Sequence, residues 1–114
     1  MKSKYFKREE FACKCGCGFD TVDTDTLEVL EDLRAFFEKP VIITSGCRCH
    51  KHNQSISGQL RSQHVYGRAA DVVVKDIAPI TVYSYLDGKY KDQYGLGKYD
   101  TFTHVDTRSN KARW

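Results

Sequence analysis

No run in this sequence approaches the roughly 18 to 20 apolar residues that a membrane span needs, which argues against stable membrane insertion. The opening MKSKYFKREEF has neither the apolar stretch nor the small-residue cleavage site of a secretory signal, so the expectation is a protein made in the cytoplasm. A block of one charge is missing as well. Eighteen Lys and Arg are interspersed with fifteen Asp and Glu, and a net +3 spread in this way is not the footprint of a nucleic-acid binder. Neither an internal repeat nor a low-complexity linker divides the chain, and 114 residues leave no room for a second core. The reading is a single domain over residues 1–114, monomeric, with one site region. Its 40% hydrophobic residues suffice to fill the core of such a domain.

An even complement of cysteines is also lacking. Cys13, Cys15 and Cys17 form C-K-C-G-C, and Cys47 and Cys49 form C-R-C. Five thiols cannot all pair within one chain, and a reducing compartment disfavours a disulfide framework. Four of the sulfurs could surround a structural zinc ion, or the cysteines are small half-buried residues in a glycine-rich turn. The C-x-C step is tighter than the usual gap of zinc knuckles, which favours the turn.

The elements follow from periodicity. Lys4 to Phe11 is a short amphipathic stretch anchored by Phe6 and Phe11, broken by the glycines of Cys15-Gly16-Cys17-Gly18. Asp23 to Thr26 offers helix caps, and Leu27, Leu30, Leu33, Phe36 and Phe37 form the buried stripe of a helix that stops at Lys39-Pro40. Val41 to Thr44 reads as a buried strand ending in the Ser45-Gly46 turn. A long polar loop runs from Cys47 to Arg68, with a helical turn expected from Lys51 to Ser55 and with three of the four histidines. Ala69 to Val74 is a second strand, Ile80 to Leu86 a short helix, Tyr94 to Tyr99 a strand or turn, and Thr101 to Thr107 a last strand. Together these predict an α+β fold, a small antiparallel sheet with flanking helices.

Within that order, His64, Asp71 and His104 are of the residue types that bind zinc, and two imidazoles with one carboxylate leave a fourth position for water. The spacing by itself is weak. The surrounding residues are more specific: Ser62-Gln63-His64-Val65-Tyr66-Gly67-Arg68-Ala69-Ala70-Asp71 resembles S-x-H-x-x-G-x-A-x-D of the zinc D-alanyl-D-alanine metallopeptidases. His104-Val105-Asp106 is similar to their second motif, and Ile42 to Arg48 with Asn53 to their strand and S-G-x-R turn. The resemblance covers Tyr5 to Arg108 and is nearest to the compact single-domain branch often encoded by phages. It implies a Hedgehog/DD-peptidase-like fold and one catalytic zinc ion held by His64, Asp71 and His104. An ion also fits the physics of the strand, where an unpaired Asp71 would be expensive to bury.

The resemblance further implies that Arg48 reaches the substrate, where a guanidinium binds a carboxylate or polarises the scissile carbonyl, and that Ser62 hydrogen-bonds substrate. His50 and His52 match no family ligand and read as solvent-facing loop residues. The pattern departs from the family at the proton acceptor: Thr101 and Phe102 stand where relatives carry a carboxylate or a histidine. Alternation along the last strand offers Asp100 as a catalytic carboxylate, and Asp106 as one that orients a ligating imidazole or acts as a base. Two functions remain open. One is a zinc peptidase cutting peptidoglycan stem peptides, of D-Ala-D-Ala carboxypeptidase or L-Ala-D-Glu endopeptidase type. The other is a non-catalytic zinc-stabilised domain that binds a wall peptide or a protein partner. Without an export signal, a wall enzyme would act after release from the cytoplasm or as a virion component.

Overall fold

A computed structural model of the chain describes residues 3–18, 20, 22–49, 53 and 62–114. The helical turn expected over residues 51–55 and the loop positions 50 and 52 lie outside the described residues, apart from Asn53. A single 3-10 turn, Arg8–Phe11, buries Phe11 beside Phe6 and precedes helix α1, Thr24–Phe37. Strands β1, Val41–Ser45, and β2, Ala69–Val74, come next, then helix α2, Pro79–Lys89, and strands β3, Gly95–Lys98, β4, Thr103–Asp106, and β5, Ala112–Arg113. The strands form one sheet in the order β1-β2-β4-β3-β5.

α1 begins where the Asp23 carboxylate accepts the Asp25 N–H, and it ends at Glu38 in the left-handed region (φ 54°), just before Pro40. Its buried face is Thr26, Leu27, Val29, Leu30 and Leu33, which corrects the expected stripe at one end. Phe36 is 58% exposed and stacks on Tyr85 of α2, with ring centroids 3.9 Å apart. At 3.6 residues per turn Phe36 points about 90° away from the middle of the face set by Thr26, Leu30 and Leu33. Proline opens α2, which extends three residues past the expected Leu86 and buries Val82 and Leu86.

β1 is an edge strand, so one of its faces meets solvent. Val41 and Ile43 are buried while Ile42 is 51% exposed, a half-buried strand rather than the fully buried one expected. β2 occupies the interior of the sheet between β1 and β4, and five of its six residues are buried. The β1/β2, β2/β4 and β3/β4 pairs are antiparallel, as expected. β5 departs from that rule by running parallel to β3. This two-residue strand is too short to show a period in sequence. Arg113 anchors it, its guanidinium donating to the carbonyls of Tyr90, Gln93 and Tyr94 and pairing with Asp87 at 2.7 Å.

α1 and α2 pack on one side of the sheet, where Leu30, Leu33, Val82 and Leu86 join Ala70, Val72, Val74, Leu96 and Val105 in the core. Because side chains alternate along a strand, Asp71, His104 and Asp106 project from the other side. No described helix is long and apolar enough to cross a membrane.

Candidate metal centre

The ladder between β2 and β4 sets Asp71 directly opposite His104. Directly opposed residues share a face, and a one-residue slip between the strands would put the two on opposite faces. His64 arrives from the loop before β2 through a tight turn in which the Val65, Tyr66 and Gly67 N–H groups donate to the carbonyls of Ser62, Gln63 and His64. Gly67 takes φ 69° there, a left-handed conformation that glycine adopts without strain. Its carbonyl accepts the Asp23 N–H at 2.8 Å, tying the turn to the start of α1.

The His64 ring is 2% exposed. Its Nδ1 lies 2.6 Å from the Gly46 carbonyl, which can only accept, so Nδ1 carries the proton and Nε2 is left with a lone pair. That Nε2 is buried without a hydrogen-bond partner and stands 3.3 Å from Asp71 Oδ1. Gly46 itself is constrained, because a Cβ there would meet the Phe11 backbone at 2.6 Å.

His104 is held from behind. Its Nε2 lies 2.7 Å from Asp106 Oδ2, and Arg108 donates to both oxygens of the same carboxylate at 2.7 Å. With Nε2–H donating to Asp106, His104 Nδ1 turns its lone pair toward Asp71 Oδ1, 2.9 Å away. The candidate ligand atoms of His64, Asp71 and His104 all lie within 4.8 Å of one another. Two imidazole nitrogens that converge on one carboxylate oxygen in a buried site are the donors a cation would need. The donor set, two neutral nitrogens and one oxygen, is that of a zinc site with an open position.

The electrostatics keep both carboxylates charged. Burial alone would raise the pKa of Asp71, but His104 and His64 outweigh it and hold the carboxyl well below its usual range. For Asp106 burial is likewise outweighed, by His104 and Arg108. Burial works against a charged His104, and Asp106 and Asp71 together overcome it, raising the pKa, so a proton on Nδ1 and a cation would compete for the same place beside Asp71. Both carboxylates are therefore ionised near neutrality, as ligation and support of an imidazole require.

Arg48 faces inward. Its Nη2 lies 3.6 Å from Asp71 Oδ2, its Nη1 donates to Asn53 Oδ1 at 3.1 Å, and its Nε donates to Ser45 Oγ at 3.3 Å. Its backbone N–H donates to the His64 carbonyl at 2.9 Å, so the loops carrying Arg48 and His64 are tied together. Arg68 pairs with Asp23 at 3.4 Å. Ser62 Oγ accepts the His64 N–H at 3.2 Å and helps to shape the ligand turn. Asp100 is exposed in the turn between β3 and β4. Because β4 starts only at Thr103, strand alternation does not bear on Asp100. It borders a depression lined by Pro79, Ile80, Lys98 and Tyr99, which includes none of the three ligands.

Sequence reasoning missed a wall and the space it needs. The Trp114 ring lies 5.0 Å from the His104 ring, under the Arg108 guanidinium at 5.0 Å, and its Nε1–H donates to Tyr99 Oη at 2.9 Å. Gly95 and Gly97 of β3 oppose Asp106 and His104. A Cβ on Gly95 would come within 2.5 Å of Asp106 Oδ1, and one on Gly97 within 2.6 Å of Trp114 Nε1. The signal for Arg108 was present in sequence, since His104, Asp106 and Arg108 recur at period two, as do the two glycines. Nothing local announced Trp114.

Among known families, the profile described as Peptidase M15 matches residues 4–106. A comparison with curated protein sequences finds no match.

Proposed function

The chain belongs to the Peptidase M15 family of zinc metallopeptidases, and on that premise we propose that it hydrolyses a peptide bond in the stem peptides of peptidoglycan, as a D-Ala-D-Ala carboxypeptidase or an L-Ala-D-Glu endopeptidase. The observation that carries this reading is the buried, unpartnered Nε2 of His64 aimed at Asp71, with His104 Nδ1 converging on the same oxygen. His64, Asp71 and His104 would hold the ion. Zinc in such a set supplies Lewis-acid polarisation of a carbonyl and the activation of water.

The chain's own groups do the rest. Asp106 fixes the proton of His104 on Nε2 and so keeps Nδ1 available as a ligand; with its oxygens engaged by His104 and Arg108, it is a positioning residue. Arg48, held by Asn53 and Ser45, presents a guanidinium beside Asp71 for the carboxylate or the scissile carbonyl of a wall peptide. Trp114 and Tyr99 close one side of the site with ring surface. For the proton transfer we assign Asp100, which is exposed in the turn that leads into His104. With the alternation of the strand gone, that assignment rests on the chain position of Asp100 four residues before His104 alone. Action on the wall after release from the cytoplasm, or within a virion, is part of the same proposal.

Thr101 and Phe102, in the places where relatives carry a proton acceptor, favour a second reading: a zinc-stabilised domain that binds a wall peptide or a protein partner without cutting. Release of peptides from purified peptidoglycan separates the two. The expected result is release that is abolished by chelation and by His64→Ala. A folded, zinc-loaded protein with no turnover on any wall substrate would overturn the enzyme reading.

A further inference from the structure

Four of the five cysteines converge at a second place, away from the histidine site. The sulfurs of Cys13 and Cys15 are 3.5 Å apart, those of Cys13 and Cys49 3.8 Å, and those of Cys15 and Cys49 3.6 Å. Cys17 completes the group, with all four sulfurs within 4.8 Å of one another. These separations are far from the roughly 2.05 Å of a disulfide bond. They are close to the edge of a tetrahedron around zinc, which for a Zn–S distance of about 2.3 Å is about 3.8 Å.

The backbone is arranged to match. Gly16 and Gly18 adopt φ 80° and 89°, the left-handed turns that let sulfurs two residues apart face one point. The Cys49 N–H donates to Cys13 Sγ at 3.4 Å, a contact that favours a charged thiolate. Cys47 does not belong to the group: its sulfur lies 3.1 Å from the Phe11 carbonyl, and its own N–H donates to the same oxygen at 3.0 Å. That pair of contacts draws the C-R-C step alongside the 3-10 turn and so delivers Cys49 to the other three.

We propose that Cys13, Cys15, Cys17 and Cys49 bind a structural zinc ion, distinct from the ion of the histidine site, that fastens the loop carrying Arg48 to the segment around residues 13–18. The tight C-x-C spacing, which in sequence favours an ordinary turn, is accommodated by the two left-handed glycines and by a fourth ligand from a distant loop. Cys49 follows Arg48 directly, so the ion would hold in place the backbone from which the guanidinium reaches Asp71.

The test uses the full chain with His64→Ala and His104→Ala, which removes the nitrogen ligands of the other site and leaves every cysteine. Loaded with cobalt, this protein is expected to retain one equivalent and to show the intense sulfur-to-cobalt charge-transfer band. Loaded with zinc, its X-ray absorption should show four sulfurs at about 2.3 Å. Adding Cys15→Ser and Cys49→Ser should abolish both. A shell of nitrogen and oxygen alone, failure to retain an ion, or a charge-transfer band that survives the serine substitutions would each overturn the proposal. Should the serine variant fail to fold, the X-ray absorption of the histidine variant decides the matter. In the unsubstituted protein with two zinc ions, the averaged shell should be half sulfur, and a sulfur-free shell there also overturns the site.

Discussion

His64, Asp71 and His104 are buried on or beside paired strands, whereas Cys15 and Cys17 are exposed and all four clustered cysteines belong to loops. In the first region the backbone ladder brings Asp71 and His104 together, and Asp106 with Arg108 fixes the imidazole before any ion arrives. In the second there is no ladder; among the described residues, short turns, the contact between Phe11 and Cys47 and the Cys49 N–H on Cys13 Sγ bring the sulfurs together. Geometry set by strands is expected to survive loss of an ion better than geometry set by loops. On the two proposals above, an ion held by the first set would serve reactivity and one held by the second would serve folding.

The largest expected effect comes from breaking the strand-borne set at its centre. Asp71→Ala removes the carboxylate on which both imidazoles converge and should reduce wall-peptide release to background. By elemental analysis the bound zinc should fall from two equivalents to one, with the remaining ion held by sulfur. Loss of both ions would mean that the regions are not independent in the way the comparison requires, and two retained equivalents would mean that Asp71 is not a ligand.

Asp100→Asn comes next. General acid–base catalysis is worth about 10²–10⁴-fold, so kcat should fall by that order while zinc content stays at two. An unchanged kcat would remove Asp100 from the mechanism. A smaller effect is expected from Asp106→Asn, which weakens the support of the His104 ring without touching a ligand. Loss of such a partner typically costs about 10–100-fold in metal affinity. Competition with a chelator should show that loss for one ion only; equal weakening of both, or of neither, would contradict the positioning role.

Much of this was legible in the residues, but unevenly. The run from Ser62 to Asp71 is contiguous, so a turn glycine, a ligand and a strand entry could be read together, and β2 falls where Ala69 to Val74 predicts it. That Asp71 lies opposite His104 depends on a strand register between segments 33 residues apart, which no local pattern encodes. Phe36 looked buried because its spacing is helical, yet it lies at the margin of the apolar face. β5 has two residues, below the length at which alternation means anything. The cysteines were conspicuous, but their convergence requires Cys49, which arrives through the Phe11 backbone and not through the sequence around the other three.

The glycines of β3 offer the mildest perturbation of the strand-borne region. Gly97 faces the site, and a methyl group there would sit 2.6 Å from Trp114 Nε1 and 2.9 Å from a Tyr99 ring carbon. Gly97→Ala should therefore push the indole outward and break its hydrogen bond to Tyr99, while leaving the ladder of Gly97 with His104 in place. Overpacking of this kind costs about 1–3 kcal/mol, measurable as a lowered denaturation midpoint. Trp114 is the sole tryptophan, so its fluorescence reports on the wall directly, and the emission of the variant should shift to the red as the ring gains water. Zinc stoichiometry should stay unchanged, because no ligand moves, and the effect on catalysis should appear in KM more than in kcat. If emission and KM both match the parent, Trp114 does not line the substrate site, and the strand-borne region is smaller than the contacts of His104 suggest.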